Sequence, residues 1–164
     1  MCLPPLPKDL VNWTPYVNTD GSLRKLFSPR DGHFDSQLTE CGPPAIYTPK
    51  GIVLLYNGKN SASRGDKRYT ANVYAAGQAL FDANDPTRFI TRLDEPFFRP
   101  MDSFEKSGQY VDGTVFIEGM VYIRINGICI MVAQIPRWVW LSTIRRNLLP
   151  QIRCPKQTVS FYPT

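Results

Sequence analysis

The sequence has few of the residues that build metal sites, and it has no long apolar segment. It contains one histidine, His33, and four cysteines with no paired C-x-x-C spacing among them. A zinc site needs several such ligands at short spacing, so no metal site is expected. No run approaches the ~20 consecutive apolar residues of a membrane-spanning helix. The first ten residues also lack the residue order of a secretory signal, so the sequence leaves the compartment open.

Acidic residues are missing from the end of the chain. Residues 123–164 contain six Lys and Arg side chains and no Asp or Glu, whereas residues 1–122 contain 13 basic and 14 acidic side chains. The net charge of +5 therefore comes from the tail alone. Because nucleic-acid binding needs a basic patch on the folded domain, neither nucleic acid nor a membrane is an expected partner of residues 1–122.

Proline, glycine and aromatic side chains are what the sequence has in abundance. Its 164 residues include 15 Pro, 11 Gly, nine Phe, eight Tyr and three Trp. This composition favours many short strands joined by turns over long helices, and it predicts an all-β fold. Apolar runs over residues 45–48, 51–58 and 113–123 predict two similar meanders. The pattern alone fits a β-propeller and a β-sandwich about equally.

Short motifs follow one another in a specific order along residues 8–122. Gly42-Pro43-Pro44 precedes an apolar run that ends in Tyr56-Asn57-Gly58. The next motifs are a Tyr-x-x-Gly-x-Ala-Leu-x-Asp strand from Tyr74 to Asp82, Asp85-Pro86, Arg92, Glu95-Pro96, Pro100, Val115-Phe116 and Gly119. In order and spacing the set resembles the C-terminal half of glycoside hydrolase family 130, the five-bladed β-propeller mannosidases and mannoside phosphorylases.

The resemblance implies a domain organisation. Residues 1–122 are expected to form a partial five-bladed propeller of about two blades, truncated at its start. Residues 123–164 are expected to be a separate basic tail, irregular or helical. An oligosaccharide or mannoside is the implied substrate, and no cofactor is implied. A bacterial origin, in the cytoplasm or periplasm, fits the family.

Two departures from the family pattern bear on the reaction. Phosphorylases of the family carry a phosphate-binding His where this chain has Asn57, and an amide lacks the positive charge that favours a phosphate dianion. Glu40 and Glu118 occupy positions that are typically uncharged in the phosphorylases. An inverting hydrolase needs a carboxylate to activate water, whereas phosphorolysis does not. The resemblance therefore implies an inverting β-mannoside hydrolase.

Six side chains are candidates for the site. Glu40 and Glu118 are the candidate catalytic bases, and the candidate sugar ligands are Asp35, Asn57, Tyr74 and Asp112. Three of them have a plain structural alternative: Glu118 in a hairpin turn, Tyr74 in the core and Asp35 capping a loop. The family's general acid, an Asp, belongs to the N-terminal half, so residues 1–164 alone are expected to be inactive. A phosphorylase and a non-catalytic carbohydrate-binding module remain the alternative functions.

The family pattern stops at about residue 123, and two explanations are open. Back-translation from the third base of Asn126 permits a family-like continuation, and it forces glycine at Met131-Val132 and at Trp138-Val139, where the pattern wants one. This predicts a frameshift between about Tyr122 and Asn126. The alternative is a genuine tail in which residues 136–149 form a basic amphipathic helix that docks on a membrane or a partner.

Overall fold

The computed structural model describes residues 11–12, 14–123, 126–134, 137–145 and 159–160. Within these ranges the chain is built from strands that pair into two antiparallel sheets. Two short 3-10 turns, Ser103–Lys106 and Gly108–Tyr110, lie between the sheets in the chain. Among all the described residues, no helix is long and apolar enough to cross a membrane.

The first sheet contains β1 (Leu38–Cys41), β2 (Ile46–Thr48), β3 (Gly51–Lys59), β4 (Tyr74–Phe81) and β5 (Phe89–Arg92). Its order is β1-β3-β4-β5, and β2 also pairs with β3. Strand β1 lies against residues 56–59 of β3, and β2 lies against residues 51–53 of the same edge. The two strands therefore form one inner strand interrupted at Gly42–Pro44, and the sheet has the four-stranded form of a propeller blade.

The second sheet contains β6 (Phe116–Ile123), β7 (Asn126–Gln134), β8 (Arg137–Arg145) and β9 (Val159–Ser160), in that order. The expected irregular or helical tail is wrong for these described residues, because they form strands. Val, Ile, Trp and Thr fill much of residues 137–145, and β-branched and aromatic side chains suit a pleated strand better than a helix. The all-β partial propeller of two blades is confirmed.

Strand β3 is buried on both of its surfaces because it lies between two apolar layers. The first layer consists of Val53, Leu55, Ala76, Phe98, Val115 and Ile117. We call this surface of the first sheet the β6 face. The second layer consists of Phe27, Phe34, Leu54, Tyr56, Ala75, Ala79 and Phe81, and we call that surface the N-terminal face. Successive residues of a strand point to opposite faces, so odd positions of β3 belong to the β6 face and even positions to the N-terminal face.

Candidate functional site

Glu40 lies one residue from the end of β1, just before the interruption that separates β1 from β2. It is exposed and pairs in register with Asn57 of β3. Directly paired residues of antiparallel strands project to the same side, so Glu40 belongs to the β6 face. Gly42 follows at the break, where a Cβ atom would lie only 3.1 Å from Cγ1 of Ile117. The chain just after β1 can approach β6 closely because this position has no side chain.

Asn57 joins the first sheet to β6. Its side chain is fully buried, and its amide makes two hydrogen bonds with the backbone of Ile117. Nδ2 donates to the carbonyl oxygen of Ile117 at 3.0 Å, and Oδ1 accepts from the Ile117 N–H at 2.8 Å. The amide is thus already committed to the protein, although it can still offer one more hydrogen and one more lone pair.

Glu118 directly follows Ile117 in β6 and is exposed. The register of β6 with β7 shifts between Ile117 and Gly119, so Glu118 is the extra residue of a β-bulge. A bulge turns the side chain away from the direction that regular alternation would give it. The suggested hairpin turn is therefore wrong, since Glu118 lies inside a strand. The Asn57 amide holds β3 to β6, the strand of Glu118, and Asn57 is the register partner of Glu40 on β1.

Tyr74 begins β4 on the same face as Glu40. It pairs with Lys59, whose Nζ lies 5.1 Å from the centre of the Tyr74 ring, and the Phe116 ring lies 5.7 Å from it edge-on. Burial raises the pKa of the Tyr74 hydroxyl, and the negative charge of Glu40 raises it further. The hydroxyl is therefore protonated at neutral pH and can donate a hydrogen bond to a sugar oxygen.

Asp35 lies on the opposite side of the sheet. It is fully buried on the N-terminal face, where Tyr56 Oη donates to its Oδ2 at 2.7 Å. Arg30 lies 3.3 Å from Oδ1, and Arg92 lies 3.1 Å from Oδ2. The pKa of Arg92 is lowered by burial, which the charge of Asp35 opposes. The structure does not bring Asp35 together with Glu40, and a sugar-binding role for it stays a prediction.

Asp112 is exposed and lines a separate cavity of about 290 Å³. Arg68 and Arg99 each place a guanidinium carbon 5.5 Å from the centre of the Tyr69 ring in its wall. Ala75, a member of the N-terminal face, also lines this cavity. Neither Glu40 nor Tyr74 lines this cavity, and the role of Asp112 as a sugar ligand also stays a prediction.

Sequence reasoning missed Lys59 and Phe116, which surround the Tyr74 ring. The alternation of β3 was the available signal for Lys59, because positions 57 and 59 of a strand share one face. Phe116 could be found only from the packing of β6 on the first sheet. Among the described residues there is no group of three or more His, Cys, Asp and Glu side chains that could hold a metal ion.

The chain is similar to solved propeller enzymes and to curated phosphorylases. One solved structure superposes with a TM-score of 0.82 at 80% identity over 87% of this chain; its description states that the GH130 family of mannoside phosphorylases contains glycoside hydrolases that target β-1,2 mannosidic linkages in Candida mannan. A glycosyl hydrolase from Bacteroides ovatus superposes with a TM-score of 0.80 at 74% identity over 85% of this chain. A 1,2-β-oligomannan phosphorylase from Thermoanaerobacter sp. (strain X514) is 30% identical over 108 residues, or 66% of this chain. No family model matches.

The chain is short beside these relatives. It spans 39% of each of the two solved chains and 31% of the curated phosphorylase. The similarity nevertheless covers most of this sequence at high identity, and the two blades described above agree with it. The chain belongs to glycoside hydrolase family 130, the family of mannoside phosphorylases and related glycoside hydrolases.

Proposed function

We propose that this chain is part of an inverting glycoside hydrolase that acts on β-mannosides. The observation that carries the proposal is the state of Asn57, a neutral amide that is buried and bonded to Ile117. Such a side chain offers no charge to a phosphate dianion. Two exposed carboxylates, Glu40 and Glu118, lie on the strands next to it and supply candidates for the base that hydrolysis requires.

An inverting hydrolase needs two carboxyl groups with different roles, an acid and a base. One carboxylic acid protonates the leaving oxygen, and a carboxylate about 6.5–9.5 Å from it takes a proton from the attacking water. The resemblance assigns the acid to a part of the family fold outside residues 1–164. Glu40 or Glu118 then acts as the base, and the protonated Tyr74 hydroxyl donates a hydrogen bond to the sugar. The 164-residue chain alone is accordingly expected to release no mannose.

Phosphorolysis is the second candidate, and Lys59 is the observation in its favour. Its ammonium group lies over the Tyr74 ring on the surface that carries Glu40, where a cation could attract phosphate. Two similar curated proteins are also named phosphorylases, at 30% and 31% identity. The distinction is one of product, since phosphorolysis yields mannose 1-phosphate and hydrolysis yields free mannose.

The test uses a full propeller. In the segment-exchange enzyme, residues 14–122 of this chain replace the equivalent segment of the solved relative that is 80% identical. We expect it to release free mannose from β-mannosides at the same rate with and without phosphate. Product that forms only with phosphate, as mannose 1-phosphate, would contradict hydrolysis. Saccharide binding without turnover, while the unmodified relative is active, would favour a binding module.

Base assignment needs single substitutions in the same enzyme. Replacement of the true base, by Glu40→Gln or Glu118→Gln, should lower kcat by roughly 10²–10⁴-fold. Asp20→Asn is the matched control, because Asp20 bonds only within its own turn to Ser22. If both Glu variants keep the parent kcat, neither carboxylate is the base.

A further inference from the structure

We propose that Asn57 is a positioning residue that sets Glu118 relative to Glu40. The inference rests on the proposed function, since it matters only if one of the two carboxylates is the base. Its starting point is the Asn57 bridge, the two hydrogen bonds between the Asn57 amide and the Ile117 backbone. The backbone N–H and C=O of Ile117 are both bonded by one side chain, as they would be by the backbone of a neighbouring strand.

The bridge acts at the residue where the position of Glu118 is decided. Ile117 is the last residue of β6 in regular register with β7 before the bulge, and Glu118 follows it. A bulge residue has no partner across the ladder, so its orientation depends on how firmly its neighbours are fixed. The Ile117 side chain is 1% exposed and packs in the core of the β6 face. Backbone and side chain of Ile117 are thus both held.

The same contacts reach Glu40. Asn57 is the register partner of Glu40, so the residue that holds Ile117 also lies beside the first carboxylate. The backbone at Gly42 also passes close to Ile117, because a Cβ atom added there would lie 3.1 Å and 3.2 Å from two carbons of the Ile117 side chain. The chain that leaves β1 after Glu40 therefore runs close to the Ile117 side chain. The distance between the two carboxylate-bearing strands depends on Asn57 and Gly42.

An amide is the side chain that suits this task. It has a donor and an acceptor on adjacent atoms, so it can bond an N–H and a C=O of the same residue at once. A carboxylate keeps the acceptor for the Ile117 N–H and loses the donor for the Ile117 carbonyl. A leucine, which has the same branching and the same number of side-chain heavy atoms, loses both and leaves two buried backbone groups without partners.

The experiment compares Asn57→Leu and Asn57→Asp with Asn60→Leu in the segment-exchange enzyme. Asn60 is a matched control because it is equally buried and bonds backbone groups, but only those of residues 66–70. We expect Asn57→Leu to lower kcat by about 100-fold, the order of loss for a misplacement of about 1 Å. KM should stay within about twofold of the parent, with a smaller kcat loss for Asn57→Asp.

Hydrogen exchange in the 164-residue chain separates this proposal from the proposed function. Asn57→Leu should speed amide exchange in the peptide around Ile117, and Asn60→Leu should leave that peptide unchanged. If the parent segment-exchange enzyme releases no mannose, the proposed function fails while the exchange result still decides the bridge. If Asn57→Leu does not fold, Asn57→Asp decides by the same two measurements. Equal kcat losses at Asn57 and Asn60, or a change in KM alone, would overturn the positioning role.

Discussion

At the scale of single residues, five positions along the chain separate two carboxylates with opposite surroundings. Asp35 is fully buried among Arg30, Tyr56 and Arg92, and Glu40 is exposed beside Asn57. A buried carboxylate persists only when cations and donors compensate for the water it has lost. Asp35 therefore has the surroundings of a structural residue, whereas Glu40 is accessible to a substrate or a water molecule.

Asp35→Asn tests this difference. The substitution leaves the Arg92 guanidinium, which is 7% exposed, without a full counter-charge. Breaking such a buried pair by removing one partner costs about 3–5 kcal/mol. We expect a large fall in the melting temperature of the 164-residue chain, measured by circular dichroism. Tyr74→Phe is the control and should melt close to the parent. A normal melting temperature combined with lost saccharide binding would instead make Asp35 a sugar ligand.

Glu105 gives a prediction about pH. Its side chain is 1% exposed, and its Oε2 accepts from the N–H groups of Met101 and Asp102. Burial raises the pKa of its carboxyl above the ordinary value, and the two backbone bonds only partly oppose this. The folded state thus binds the proton more tightly than the unfolded state. Stability from this group is present below the unfolded pKa and is lost as pH rises through the folded pKa.

The measurement is the difference in unfolding free energy between Glu105→Gln and the parent from pH 4 to pH 8. The unfolding free energy of the variant should increase relative to that of the parent as the pH rises, because the Gln side chain cannot ionise. Asp82→Asn is the control and should give a difference that is nearly flat from pH 4 to pH 8, since backbone hydrogen bonds from Asn84 and Asp85 lower the pKa of Asp82 below its ordinary value of 3.8. A difference that is flat with pH for Glu105→Gln would contradict the argument.

At the scale of elements, the two sheets show how tightly strand composition and packing are linked. Strand β3 is a nearly continuous apolar run because both of its faces are covered. Strand β4 pairs with β3 and has a small residue opposite a large residue of β3. Gly77 is the register partner of Tyr56, and a Cβ atom there would lie 2.6 Å from Cε1 and from Oη of Tyr56. The Tyr56 ring therefore occupies the space of a missing side chain.

Gly77→Ala should destabilise the chain by about 1–3 kcal/mol, the usual cost of overpacking. The ring would have to move, and its hydrogen bond to Asp35 would be strained as well. The measurement is denaturant unfolding of the parent, Gly77→Ala, Tyr56→Leu and the double variant. Because the added methyl no longer meets a ring in the Tyr56→Leu background, its cost there should be smaller. Equal costs in both backgrounds would show that Tyr56 is not the obstacle.

At the scale of the whole molecule, the blades continue beyond the family motifs. An alignment over 87% of a 164-residue chain extends past residue 122, although the sequence pattern ends there. Strands β7 and β8 complete most of a second blade from residues without any acid. We propose that residues 123–164 are a shifted-frame version of the family's next strands, and that residues 1–122 are the part of the chain that keeps the family's sequence.

The reading-frame proposal predicts a DNA result. Sequencing across the codons for Tyr122 to Asn126 from independent isolates should show an insertion or deletion relative to a frame that continues the blade. The restored frame should carry glycines at the positions that Met131-Val132 and Trp138-Val139 force. An intact frame whose codons do not permit the family continuation would establish the tail as genuine.

The sequence by itself determined the strands of the first sheet that carry the family motifs, and it determined the family, but it did not predict the strands of residues 126–145. Apolar runs and short motifs depend on neighbours along the chain, so β2, β3 and β4 could be placed from them. It also pointed to Glu40, Glu118 and Tyr74. Only the tertiary structure decided that Asp35 lies on the other face, that Asp112 opens into another cavity and that the Asn57 amide is bonded to Ile117. These facts depend on contacts between residues up to 60 positions apart, which local patterns do not encode.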